Sequence, residues 1–257
     1  RKTLDFYSRS FTRLSYERFY SKDTIDIEKF NIAEISTNLN IPKESARRKI
    51  LELEKKGVIK KLKKRIVIDR SVFPFIKPIK SIIRMSRFLS ILSEMLVRQK
   101  ILQKKMSSKN LEETIKQNFT YVWKIYYELQ IPMLLKYNEV FEDLETFHIF
   151  GTCVQNQHLS QIDTTGKVDR IKFLNSNLLD ANVRGLNAMS ISDITGIPRA
   201  TVVRKLKRLI KKNYLSINDK KLYKVTNIIV KKLEPTQKII LDQLSDFSTR
   251  IFNLAKL

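Results

Sequence analysis

Ile41-Pro-Lys-Glu-Ser-Ala-Arg-Arg-Lys-Ile-Leu-Glu-Leu-Glu-Lys-Lys-Gly57-Val-Ile59 aligns without a gap on Ile197-Pro-Arg-Ala-Thr-Val-Val-Arg-Lys-Leu-Lys-Arg-Leu-Ile-Lys-Lys-Asn213-Tyr-Leu215, at an offset of 156 residues. An internal repeat constrains a fold more than any single element does. Identities include Pro42/Pro198, Arg48/Arg204, Lys49/Lys205, Leu53/Leu209 and both Lys pairs at 55–56 and 211–212. Each copy reads as a helix with a marked start and stop. Pro42 and Pro198 suit the first helical position, where a missing N–H costs nothing. Ala46, Ile50 and Leu53, like Val202, Leu206 and Leu209, recur at i, i+4, i+7 and so share one face. Gly57 and Asn213 are residue types that end a helix in the left-handed conformation.

Outward from these helices the pattern continues in both copies. A shorter helical stretch precedes each proline, Ile32 to Leu39 and Met189 to Thr195, followed by Asn40 or Gly196. After each stop comes a short apolar strand, Val58-Ile59 or Tyr214-Leu215, then a polar turn and a second strand. The second strands are Ile66-Val67-Ile68 and Leu222-Tyr223-Lys224-Val225. Helix, turn, helix, hairpin is the expected order, twice.

At these residues the chain resembles winged helix-turn-helix transcription regulators of the broad MarR-like and IclR-like kind. Asn31-Ile-Ala-Glu-Ile-Ser-Thr-Asn-Leu-Asn-Ile-Pro42 is similar to that family's positioning helix and turn, and Ile197 to Leu209 to its recognition helix. The resemblance covers about 45 residues in each copy. Two departures stand out: Asn40 replaces the usual Gly, and Ser192-Asp-Ile-Thr-Gly-Ile197 leaves the second positioning helix about three residues short. The fold class implied is mainly α, with two winged helix-turn-helix modules, each bearing a small β-hairpin wing, joined by a helical middle.

The resemblance also implies roles. In such a motif the second helix enters the major groove by its N-terminal half. Outward residues there are Lys43, Glu44, Ser45, Arg47 and Arg48 in the first copy, and Arg199, Ala200, Thr201, Val203 and Arg204 in the second. Arg takes guanine bidentately, and Ala and Thr side chains touch a thymine methyl. Lys205 joins the expected DNA-binding set. Wing cations Lys61, Lys63, Lys64, Arg65, Lys220 and Lys221 are expected on phosphates or in the minor groove. The implied function is sequence-specific double-stranded DNA binding by a transcriptional regulator, without catalysis. Alternatives are a replication initiator of plasmid or phage type built from tandem winged helices, and a protein–protein interaction module.

Charge agrees with a polyanionic partner. The 257 residues hold 50 Lys+Arg against 26 Asp+Glu, a net charge of +24. Residues 43–65 carry 11 basic and 3 acidic residues, and residues 199–224 carry 10 and 1, so 17 of the 24 net charges fall on 49 residues. Such concentration matches phosphate neutralisation better than general solubility does. A hydrophobic share of 42% argues against disorder, while 5 Gly and 6 Pro leave little for a turn-rich barrel. One Cys excludes a disulfide framework and a Cys-rich zinc module and points to a reducing, cytoplasmic setting. No run reaches the roughly 18 apolar residues that span a bilayer, so no membrane partner is expected. Arg1-Lys2-Thr3-Leu4-Asp5 lacks a signal-peptide core, and the missing initiator Met reads as a fragment or processed chain.

The repeat extends in outline. Pro78 and Pro235 stand 157 apart before amphipathic stretches, Ile79 to Leu102 and Thr236 to Leu257, and aromatic stretches Phe6 to Tyr20 and Phe119 to Tyr137 lie upstream of each copy. The expected domains are 1–78, a helical middle at 79–159, a linker at 160–185, the second module at 186–232 and a terminal helix at 233–257. The two halves would form a pseudo-dimer within one chain, or the chain a homodimer. Aromatics from Phe119 to Phe150 read as helical core; the sharper reading is a pocket for an unidentified small-molecule effector. His148, Cys153 and His158 lack the number and spacing of metal ligands, and no cofactor is implied. The acidic cluster Glu139, Glu142, Asp143, Glu145 is expected to balance cations rather than perform acid–base work.

Overall fold

The structure, a computed structural model, describes residues 2–21, 24–27, 31–62, 65–69, 77–165 and 185–256. The protein is mainly helical, with two small antiparallel sheets among the described residues. In chain order the first elements are α1 (Lys2–Arg9), α2 (Tyr16–Tyr20), β1 (Thr24–Ile27), α3 (Ile32–Leu39), α4 (Lys43–Lys55), β2 (Ile59–Leu62) and β3 (Arg65–Asp69). Four helices follow, α5 (Ile79–Arg98), α6 (Ser108–Gln117), α7 (Phe119–Phe141) and α8 (Leu144–Thr165). The last elements are α9 (Ala188–Thr195), α10 (Arg199–Lys211), β4 (Leu215–Ile217), β5 (Tyr223–Val225) and α11 (Asn227–Lys256).

Local chemistry builds the repeated stretches in the same way. Asn31 and Asn187 cap α3 and α9 by accepting a backbone N–H through the side chain. Both helices are eight residues long, so the expected shortening of the second is corrected. Each ends in a left-handed residue, Asn40 at φ 48° and Gly196 at φ 69°. The corner that follows is pinned identically: Ser36 Oγ donates to the Ile41 carbonyl at 2.6 Å, and Ser192 Oγ to that of Ile197 at 2.7 Å. Pro42 and Pro198 occupy the cap itself, one residue earlier than expected, at φ −55° and −53°. Gly57 at φ 72° and Asn213 at φ 56° then turn the chain out of α4 and α10.

The sheets close each copy. β3 pairs antiparallel with both β2 and β1, giving the order β1-β3-β2, with Ile59 and Ile25 opposite Ile68. In the second copy β4 pairs with β5, and Leu186 forms an isolated bridge to Tyr223 where the first copy has β1. Gly185 beside that bridge has to lack a side chain, because a Cβ would lie 2.5 Å from the Tyr223 carbonyl oxygen.

Two units emerge, one of residues 1–132 with 242–257 and one of 133–241. The expected helical middle is therefore no body of its own; α5 and α6 belong to the first unit and α8 to the second. The first unit buries Ile82, Leu89, Leu111, Ile115, Phe119 and Ile251 in one cluster. The second buries Phe141, Ile149, Phe150, Leu206, Leu209 and Leu215 in another. Helix α8 supplies that second core with Gln157, whose side chain accepts the Val225 N–H at 2.5 Å and ties α8 to β5.

Further expectations are corrected. Leu53, expected inward, is 37% exposed whereas Leu209 is 1% exposed; the buried residues of α4 are Ala46 and Ile50. Pro235 starts no helix and sits inside α11. The Phe6 to Tyr20 stretch is two helices, broken at Phe11, whose φ is 52°. Helix α8 runs to Thr165 into the expected linker, and 166–184 lie outside the described residues.

Leu206 is fully buried, and its neighbour Lys207 on α10 is exposed. Leu206→Ala is expected to cost about 2–5 kcal/mol in urea unfolding. Lys207→Ala should stay within about 0.5 kcal/mol; an inverted order of the two would mean that α10 faces the other way.

Candidate nucleic-acid interface

Helices α4 and α10 present their N-terminal halves to solvent. Lys43, Glu44, Arg47 and Arg48 are exposed on α4, with Ser45 half-buried. Arg199, Ala200 and Arg204 are exposed on α10, with Thr201 and Val203 half-buried. Neither helix has a side-chain cap on its first turn. Their leading amide groups thus keep free hydrogen-bonding capacity at the positive end of the helix dipole, which favours phosphate. The preceding helices α3 and α9, by contrast, have that position filled by asparagine.

Farther along each helix some of the cations are paired. On α4, Lys49 and Lys56 reach Glu52 at 2.9 and 2.8 Å. Hydrogen bonds from Lys56 and then Lys49 hold the Glu52 carboxyl down at about 2. On α10 the anions come from the turn between α7 and α8. Lys205 Nζ lies 2.6 Å from Asp143 Oδ1 and 3.2 Å from Glu145 Oε2. Arg208 sits 3.0 Å from Glu142, which also accepts a hydrogen bond from Lys212.

Lys205 is therefore corrected from the expected DNA-binding set. It is only 7% exposed, and its ammonium is committed to two carboxylates and to the Thr146 hydroxyl oxygen. The acidic cluster does balance cations, as expected: Glu139 pairs with Lys136 on its own helix, whereas Glu142, Asp143 and Glu145 meet cations about sixty residues away. Burial alone would raise Asp143, but hydrogen bonds from Lys205 and from Thr146 outweigh it and hold the carboxyl below its ordinary value. Glu142 is lowered by its hydrogen bond from Lys212.

What remains unpaired is the set facing outward. Among the described residues, no ion pair joins Arg48, Arg199 or Arg204 to a carboxylate, while Arg47 stands 4.0 Å from Glu44 on its own helix. Lys220 and Lys221 are exposed at the tip of the second hairpin. That turn is organised by Asn218, whose side chain accepts the Leu222 N–H, and Lys221 adopts φ 56°. In the first hairpin the side chains of Lys61 and Arg65, and Lys63 and Lys64 entirely, lie outside the described residues.

The other candidates fall into place structurally. Phe119 and Trp123 stack at 5.1 Å within the first core, and Phe141 and Phe150 meet at 4.9 Å within the second. Burial pushes the Cys153 thiol up to about 12, so it holds no thiolate at neutral pH for redox or nucleophilic chemistry. His148 is exposed, on a different side of α8, and the side chain of His158 is outside the described residues. Among the described residues no helix is long and apolar enough to cross a membrane. Sequence reasoning missed β1, although the β-branched alternation of Thr24-Ile-Asp-Ile27 carries its signal.

Against known families, curated proteins and solved structures, the chain matches none.

Because Asp143 and Glu142 are lowered in the folded state, the stability they contribute is complete above the ordinary carboxylate range and is lost as pH falls through their lowered values. Asp143→Asn is expected to unfold at lower urea than wild type at pH 7. The gap should narrow as pH drops below about 4. A gap of constant size across that titration would separate Asp143 from the pH response.

Proposed function

We propose that the protein binds double-stranded DNA sequence-specifically through two winged helix-turn-helix modules and acts as a transcriptional regulator. On this reading α3 and α9 are positioning helices, α4 and α10 recognition helices, and the two hairpins wings. One observation carries it: in both copies the lysine that follows the outward arginine, Lys49 or Lys205, is paired with a carboxylate, while among the described residues Arg48 and Arg204 stand outward without an ion pair at equivalent positions of an uncapped N-terminal half. A charge of +24, weighted towards these units, supports a nucleic-acid partner over an acidic protein surface of modest size. Guanine recognition by arginine is the contact this arrangement favours. The single buried thiol suits a reducing compartment such as the cytoplasm.

Selection of bound sequences from random duplexes at fixed salt tests the reading directly. A defined motif supports it. Uniform binding that disappears near physiological salt would instead favour an interaction module with only electrostatic affinity for DNA.

Arg48→Ala or Arg204→Ala is expected to cost about 1–3 kcal/mol on the selected site and to relax preference at one position. Equal losses on every sequence would reassign these arginines to the phosphate backbone. Replacing Lys220 and Lys221 together by Ala should weaken binding to all sequences alike and lower the salt slope by about 2, as read from titrations at several salt concentrations.

A further inference from the structure

We infer that the two modules read unlike sequences, so that the DNA target of this chain is non-palindromic and fixes the direction in which the protein lies. The inference rests on the DNA-binding reading above. It comes from comparing equivalent outward positions of α4 and α10, which share their anchors but differ between them.

Arg48 and Arg204 correspond, as do Lys43 and Arg199, and all four are exposed. These supply the same chemistry to either half: a guanine edge or a phosphate. Between them Ser45 and Thr201 both offer a hydroxyl, but the two flanking positions diverge. On α4 they hold Glu44 and Arg47, whose side chains are 83% and 63% exposed and only 4.0 Å apart. On α10 the same positions hold Ala200 and Val203, which floor a shallow depression rimmed by Arg199, Arg204 and Lys207.

The two surfaces suit different groups on the major-groove edge. A carboxylate beside a guanidinium suits a cytosine N4 donor next to a guanine. The Ala200 and Val203 surface offers no hydrogen bond and suits the C5-methyl of thymine. Exchanging the half-sites would be unfavourable both ways. Glu44 would face a methyl group with its carboxylate desolvated and no base donor to bond, and the cytosine amino group would face aliphatic carbon. Discrimination of this kind comes from what is left unsatisfied in the wrong register as much as from what is gained in the right one.

The test uses the full chain throughout. Selection from random duplexes is expected to return two different motifs, one containing C·G at its discriminating position and one containing thymine. Replacing that single thymine by deoxyuridine removes only the methyl group and should lower affinity about fourfold. The double substitution Glu44→Ala with Arg47→Val, at two exposed positions, gives α4 the outward chemistry of α10. Its selection should return the thymine motif twice. If wild type enriches the same motif twice, or if the double variant keeps the original cytosine motif, the inference is overturned while DNA binding stands. If wild type enriches no sequence, the DNA-binding reading fails and takes the inference with it.

Discussion

A single ammonium group decides which way α10 can face. Lys205 is held at 2.6 Å by Asp143 and at 3.2 Å by Glu145, beneath the surface of the second unit. A charge in that position is tolerable only with its counter-charges and hydrogen bonds in place. Once the pair is made, Val202, Leu206 and Leu209 lie against the core. Arg204 is then left on the outside. The same turn pairs Arg208 and Lys212 with Glu142, while Lys207 and Lys211 stay exposed. On α4 a single residue, Glu52, does the corresponding work from within the helix.

Two different solutions thus pair the equivalent lysines, Lys49 and Lys205, with carboxylates. Self-repulsion among closely spaced cations would oppose a compact state if none were compensated. Compensating all of them would leave little attraction for a polyanion. Both copies compensate the lysine, Lys49 or Lys205, and leave the arginine one residue before it, Arg48 or Arg204, exposed.

Much of this was legible in the residues. The prolines at the helix starts, the buried Ala46 and Ile50 and their counterparts Val202 and Leu206, and the left-handed stops at Gly57 and Asn213 are local signals, and local chemistry executed them. The hairpins followed for the same reason. Lys205 was illegible because its partners lie far away in sequence, and nothing near it distinguishes it from Lys207. Pro235 misled because a proline usually opens or breaks a helix, yet α11 continues through it, as α7 does through Pro132. Leu53 misled because periodicity names a face without saying how wide its cover is; Leu209 has the Phe141 and Tyr214 cluster around it. Leu186 is one residue of strand, too short for any alternation to announce.

The sole cysteine has a use that follows from its place in the fold. Cys153 is 1% exposed within the core of the second unit, packed with Ile149 and Phe150. A thiol so enclosed meets a chromogenic disulfide reagent only when the surrounding core opens. The chain therefore carries a built-in reporter: the rate of its modification in native buffer gauges the opening of that unit without any added label.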